Sequence, residues 1–160
     1  MRIGHGYDVH RLKQNRKCIL CGVEIPSEIG PDGHSDADVP VHALMDAMLG
    51  ALALGDIGTH FPPTDDKWKD ANSIELLKKV YSLVLSQGYS LVNADITIVL
   101  ETPRLASYIT KMRESLASAL GVDVSCISVK ATTEERLGFT GDSSGISATA
   151  VVLLGCGDSR

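Results

Sequence analysis

The chain has 160 residues and a net charge of −5, with 44% apolar and 22% charged residues. That length suits one domain able to bury about 70% of its unfolded surface, and the acidic balance excludes a nucleic-acid binder working through a basic stripe. A phosphorylated ligand would have to find positive charge locally, at a metal or a helix N-terminus.

Met1 to Leu12 alternates as a strand, Lys13 to Arg16 turns, and Cys18 to Ile25 reads as a second strand, so a hairpin is expected. No apolar run follows Arg2, so the start does not read as a signal peptide. The longest apolar stretch, Ala43 to Leu54, contains Asp46 and falls short of the roughly 20 residues that cross a bilayer. A soluble, cytoplasmic protein is predicted, with neither a membrane nor a nucleic acid as partner. Pro26 to Asp38 holds too many breakers for regular structure. Asp38 as N-cap and Pro40 in the first turn open a helix from Val39 to Leu54, with Gly55 as its stop. After a loop from Gly55 to Lys69, Asn72 or Ser73 caps a helix to Gln87, ended by Gly88.

Tyr89 to Leu100 alternates as a strand with one wetter face. A helix from about Leu105 to Leu120 keeps Ile109, Met112, Leu116 and Leu120 on one stripe and closes at Gly121. Cys126 to Ala131 and Ile146 to Leu154 are the last strands, separated by a Gly-rich turn region. This order predicts an α/β (α+β) fold: a single domain over residues 1–160, with one mixed β-sheet and helices on one face. The other face, rich in Val, Ile and Thr, would need covering, which points to an oligomer packed sheet to sheet. The four cysteines, Cys18, Cys21, Cys126 and Cys156, are too scattered for a disulfide framework, and Cys18-x-x-Cys21 reads as small buried strand residues.

Asp8 and His10 stand at i and i+2, which on a strand puts both side chains on one face. His42, one turn into the following helix, could supply a third ligand, and one Asp with two His is a zinc set that leaves a position open. Each has a plainer use alone: Asp8 in a turn, His10 at a polar strand end, His42 as an ordinary helix residue. In His34-Ser35-Asp36-Ala37-Asp38, adjacent Ser and His do not reach each other as nucleophile and base, and no Gly-x-Ser-x-Gly elbow is present. His34 and Ser35 suit donation to phosphate or hydroxyl oxygens, while Asp36 or Asp38 caps the helix and orients a ligating His, or merely caps. Gly55 to Asp66 lets backbone approach a ligand and offers carboxylates to hydroxyl groups. Lys130 to Glu135 delivers hydroxyls, amides and carboxylate to one strand end, suited to a diphosphate with Mg²⁺, or to a capping box. Gly138 to Gly141 reads as a structural turn.

Three stretches, RIGHGYDVHRL, HSDADVPVHALMDAMLGALALGDIGTHFP and VKATTEERLGFTG, run in order across nearly the whole chain. In them the sequence strongly resembles the 2-C-methyl-D-erythritol 2,4-cyclodiphosphate synthase family of the non-mevalonate isoprenoid pathway. The resemblance implies a phosphorus–oxygen lyase, a homotrimer whose sheets pack around its axis, and active sites between subunits. It implies zinc on Asp8, His10 and His42, and Mg²⁺ or Mn²⁺ on Glu135 bridging the substrate phosphates. Asp8, His10, His34, Ser35, Asp56, Ile57, Gly58, Phe61, Pro62, Pro63, Thr64 and Asp65 would surround the methylerythritol phosphate. Leu100, Glu101, Thr102, Pro103, Arg104, Leu105 and Ala106, with Ala131, Thr132 and Thr133, would line a cytidine pocket contributed by the neighbour; Glu134, Glu135, Phe139 and Asp142 would also meet substrate. His34 and Thr133 take the catalytic part, steadying the substrate in its reactive geometry.

The implied reaction closes a cyclic diphosphate by attack of the substrate's own 2-phosphate on its β-phosphorus, releasing CMP. Such phosphoryl transfer asks a protein mainly to position groups and neutralise charge, which fits a chain without a nucleophile triad. One departure stands out. Asp142 follows Phe-Thr-Gly where many relatives carry Arg, and Thr149 stands where an acid is common, so an isoprenoid diphosphate is expected to bind the trimer axis weakly or not at all. Two rival readings remain at this stage: a zinc-dependent phosphodiesterase that activates water, and a non-enzymatic trimer that binds a nucleotide or isoprenoid.

Overall fold

A computed structural model describes residues 1–62, 64–68 and 71–156. The first strand, β1 (Arg2–Gln14), is followed by three short ones, β2 (Cys18–Leu20), β3 (Val23–Ile25) and β4 (Ile29–Pro31). Helices α1 (Val39–Ala51), α2 (Ile57–His60) and α3 (Ser73–Ser86) come next, then β5 (Tyr89–Val99), α4 (Ile109–Leu120), β6 (Ile127–Thr132), the short α5 (Gly138–Gly141) and β7 (Gly145–Cys156). Five strands form a mixed sheet in the order β4-β1-β7-β5-β6. Among the described residues only β5 and β6 run parallel, and α4 makes the crossover that parallel neighbours require.

α1 lies across β1 and β7, with α3 packed on its back. Buried on both sides, it presents Leu44, Met45, Met48 and Leu49 to a core shared with Leu77, Ile96, Ile98 and Met112. On β1 the even positions Gly4 and Gly6 are buried, while Ile3, Tyr7 and Val9 look out from the uncovered face. Ile3 is 74% exposed.

Four expectations need correcting. The strand from Cys18 to Ile25 is itself a hairpin, because Cys21 and Gly22 both take positive φ (53° and 74°) and turn the chain tightly between β2 and β3. It forms a separate two-stranded sheet, and β1 pairs instead with β4 and β7. β4 lies within the stretch from Pro26 to Asp38, which is therefore not wholly irregular. The helix placed from Leu105 begins at Ile109, since Leu105 is buried as an anchor and accepts the Tyr108 N–H at 2.9 Å in a preceding turn. α1 ends at Ala51 rather than Leu54, with Ala53 taking the left-handed conformation (φ 56°) and Leu54 N–H reaching back to Leu49.

Asp38 is the expected N-cap, and it does more than cap. Its wholly buried carboxylate accepts N–H from Val41 of α1 (3.4 Å) and from Cys21 (2.8 Å) and Gly22 (2.6 Å) of the β2–β3 turn. Burial pushes its pKa up to about 7, against the pull of the Gly22 and Cys21 N–H groups. One side chain thus fastens the small hairpin to the helix that carries His42. Asp38→Ala strands three N–H groups, each worth about 1–3 kcal/mol when buried without a partner. The variant should lose about 3 kcal/mol or more, read from urea unfolding midpoints.

Candidate active site

The site begins with the two glycines of β1. A Cβ on Gly6 would lie 2.0 Å from the Ala43 carbonyl oxygen, and one on Gly4 1.9 Å from that of Ala47. Their bare backbone lets α1 settle directly onto the strand. Asp8 and His10 continue the same face, so His42 in the first turn of α1 arrives above them. Asp8 Oδ2 is 3.0 Å from His42 Nδ1 and 3.2 Å from His10 Nε2, and the three donor atoms lie within 4.8 Å of one another. Among the described residues no other His, Cys, Asp and Glu side chains form such a group. Ligand bonds of about 2.0–2.2 Å in a tetrahedron separate donors by roughly 3.3 Å, so this oxygen-and-two-nitrogen set fits a zinc-sized divalent cation.

Electrostatics agree with that fit. Burial pushes the Asp8 carboxyl up, but hydrogen bonds and charge from His10 and His42 together outweigh it and hold the pKa at about 2. His10 is raised by its hydrogen bond to Asp8, against the effect of burial. Its Nδ1 faces the Asp32 carbonyl at 2.7 Å, an acceptor that keeps a proton on Nδ1, so that once the ring gives up its other proton to an incoming cation the Nε2 lone pair faces the shared position. Gly33 makes room for this ring, since a Cβ there would lie 2.7 Å from His10 Cε1.

Asp8, His10 and His42 stand at one side of a pocket of about 240 Å³ that His34, Ser35, Ile57, Gly58 and Phe61 also line. Met45, Leu76 and Trp68 complete the wall, Trp68 edge-on to Phe61 with ring centres 5.0 Å apart. The role offered to Asp36 or Asp38 divides between them. Asp38 caps α1, whereas Asp36 bonds Ser73, which in turn faces His42. Asp56 caps α2 through Thr59, and Asp46, one turn beyond His42, accepts the Ile57 N–H at 2.8 Å and so ties that loop to α1. Ser73, Asp46 and Trp68 escaped the sequence reading because each acts through a neighbour that only the folded chain brings to it: His42 and Asp36 for Ser73, Ile57 for Asp46 and Phe61 for Trp68.

A second pocket of about 690 Å³ is lined by Leu100, Glu101, Pro103, Arg104, Leu105, Ala106, Ala131, Thr132 and Thr133. One carboxylate oxygen of Glu101 is buried there without a partner among the described residues. Thr133 Oγ1 donates to Glu135 at 3.2 Å, and Glu134 bonds Thr140. Glu135 and Arg136 both hold left-handed backbone, φ 53° and 65°. Phe139 lines a third hollow with Val9, His10 and Arg11, and Asp142 turns its carboxylate onto Ser144 N–H of its own loop. Pro62, Thr64 and Asp65 continue the loop from Phe61, Thr102 continues the 100–106 segment, and Pro63 lies outside the described residues.

His34 and Thr133 are not brought together within one chain. Asp8, Ala148, Ile98 and Ala131 occupy one register row across β1, β7, β5 and β6. Three strand spacings of about 4.8 Å set the two pockets roughly 14 Å apart at the same level of the sheet.

Fold and cleft define an α/β protein with a cation-fitting donor set beside a ligand pocket. The model of the YgbB family matches residues 1–155. A curated relative from Moorella thermoacetica, named 2-C-methyl-D-erythritol 2,4-cyclodiphosphate synthase, is 62% identical over 154 residues, covering 96% of this chain and 94% of its own. Its namesake from Trichlorobacter lovleyi is 60% identical, with 96% and 98% covered. The solved structure of such a synthase in its CDP-bound form matches at a TM-score of 0.89 and 39% identity, over 96% of this chain and 100% of that one. The bifunctional IspDF of Campylobacter jejuni matches at 0.93 and 44%, over 96% of this chain and 42% of that longer one. The chain belongs to the YgbB family, that of the 2-C-methyl-D-erythritol 2,4-cyclodiphosphate synthases.

Proposed function

We propose that the chain, as one domain, converts 4-diphosphocytidyl-2-C-methyl-D-erythritol 2-phosphate into 2-C-methyl-D-erythritol 2,4-cyclodiphosphate and CMP. The observation that carries this reading is the Asp8, His10 and His42 donor set beside a pocket that His34 and Ser35 share. Zinc held by those three residues would supply positive charge to a phosphate oxygen, and a Mg²⁺ or Mn²⁺ at Glu135 would draw its remaining ligands from the substrate.

The chain's own residues position and enclose the reacting groups. His34 and Ser35 donate hydrogen bonds to phosphate oxygens, and Asp56 with the backbone of Ile57 and Gly58 receives the methylerythritol hydroxyls. Phe61 and Trp68 keep water from the apolar side. The cytidine enters the pocket of residues 100–106 and 131–133, where Thr133 steadies the diphosphate. Because nucleophile and electrophile belong to one molecule, holding it folded supplies much of the acceleration.

The two pockets would complete one site between subunits of a homotrimer, with the 100–106 and 131–135 segments of one copy facing the Asp8 cleft of the next. Two features support that assembly: the spacing between Asp8 and Ala131, the two ends of the register row beside the two pockets, and an uncovered sheet face bearing Ile3, Tyr7, Val9 and Val151. CMP release tests the reaction. It should require the 2-phosphate, and equal release from the substrate lacking that group would favour hydrolysis by water instead.

A further inference from the structure

We infer that the buried Ser73 hydroxyl is a positioning residue that fixes the tautomer of His42, through a relay running from Asp36 to Ser73 to His42. This rests on the reading of Asp8, His10 and His42 as a metal site. Ser73 opens α3, is wholly buried, and comes from an element distant in sequence from both β1 and α1.

Hydrogen counting gives the direction of each bond. Asp36 Oδ2 accepts the Ser73 N–H at 2.9 Å and Asp36 Oδ1 accepts the Asp38 N–H at 3.3 Å, so Asp36 behaves as an acceptor at both oxygens. The Ser73 hydroxyl, close against Asp36 Oδ1, therefore donates its single proton there. Ser73 Oγ is left with lone pairs only. His42 Nε2, 2.9 Å away, must be the donor and carries the ring proton. In the neutral ring that a cation requires, Nδ1 then holds the lone pair, and it is Nδ1 that lies 3.0 Å from Asp8.

The two histidines are thus set in opposite tautomers by unlike partners. His10 presents Nε2 because the Asp32 carbonyl takes its Nδ1–H, and His42 presents Nδ1 because the serine relay takes its Nε2–H. The relay also separates the two serines around His42. Ser35 Oγ lies farther from Nε2, at 3.3 Å, and accepts the Ala37 N–H, so its own proton is not needed by His42 and can be offered to a ligand in the pocket. Asp36 N–H bonds the Ala71 carbonyl at 3.2 Å, which joins the loop bearing His34 and Ser35 to the start of α3.

Two measurements test the relay. In long-range proton–nitrogen NMR of the zinc-loaded protein, His42 should show a protonated Nε2 and a metal-bound Nδ1; a protonated Nδ1 would overturn the proposal. In competition with a chromogenic chelator, Ser73→Ala should weaken zinc binding about 10- to 100-fold, and Ser73→Thr, which keeps the hydroxyl, should recover most of it. A purely structural serine would lower the unfolding midpoint without moving zinc affinity, and a folded Ser73→Ala protein that binds zinc as the parent does would reject the relay. Should Ser73→Ala fail to fold, the NMR pattern of the parent decides alone. A parent that takes up no zinc would overturn the metal reading, and the relay with it.

Discussion

Asp8→Ala and His42→Ala should each abolish stable zinc binding and lower turnover by about 10³-fold or more, since a metal stabilising developing charge is worth several kcal/mol. Asp8 is the hinge of the set: its Oδ2 is the atom that both histidines face, at 3.0 and 3.2 Å. Without it two nitrogens remain and the charge that balances the cation is gone. His42→Ala removes the ligand that α1 contributes and leaves Ser73 facing a void. Metal content by elemental analysis and CMP release under saturating substrate check the two halves of the expectation. Activity near the parental level in a zinc-free Asp8→Ala protein would show that the reaction does not need this site.

Gly6→Ala should be the more destructive change, although it adds one methyl group two residues from the site. The new Cβ would fall 2.0 Å from Ala43 O and 2.7 Å from Ala47 N, and both neighbours are backbone of a buried helix that cannot rotate away. α1 would have to lift by about 1 Å or more, which costs at least the upper end of the roughly 1–3 kcal/mol typical of overpacking. Lifting α1 also draws His42 from Asp8 and His10, so zinc affinity should fall together with stability. Chemical unfolding and chelator competition on the same preparation read both effects. A variant that loses stability but keeps parental zinc affinity would mean that the glycines shape the core without setting the site.

These two expectations show which parts of the site sequence can and cannot reveal. The Asp8-x-His10 pair was legible because strand alternation puts i and i+2 on one face, and His42 because Asp38 and Pro40 announced where the helix begins. Gly4 and Gly6 share that alternation, yet nothing local says that a helix lies against them. Ser73 reads from sequence as one of two N-cap candidates, and Asn72 takes that part, leaving Ser73 for His42. The Cys18-to-Ile25 segment failed as a single strand because Cys21 accepts a positive φ usually reserved for Gly or Asn, held in place by Asp38. The separation of His34 from Thr133 could not be read from spacing, since strand order is a property of pairing between distant segments; the family resemblance alone implied it.

The central claim is intramolecular closure of a diphosphate, and phosphorus NMR of the product tests it most directly. Incubated with 4-diphosphocytidyl-2-C-methyl-D-erythritol 2-phosphate, zinc and Mg²⁺, the protein should give CMP and the two coupled resonances of a cyclic diphosphate. Linear phosphate products accompanying CMP would contradict the account and identify the protein as a hydrolase.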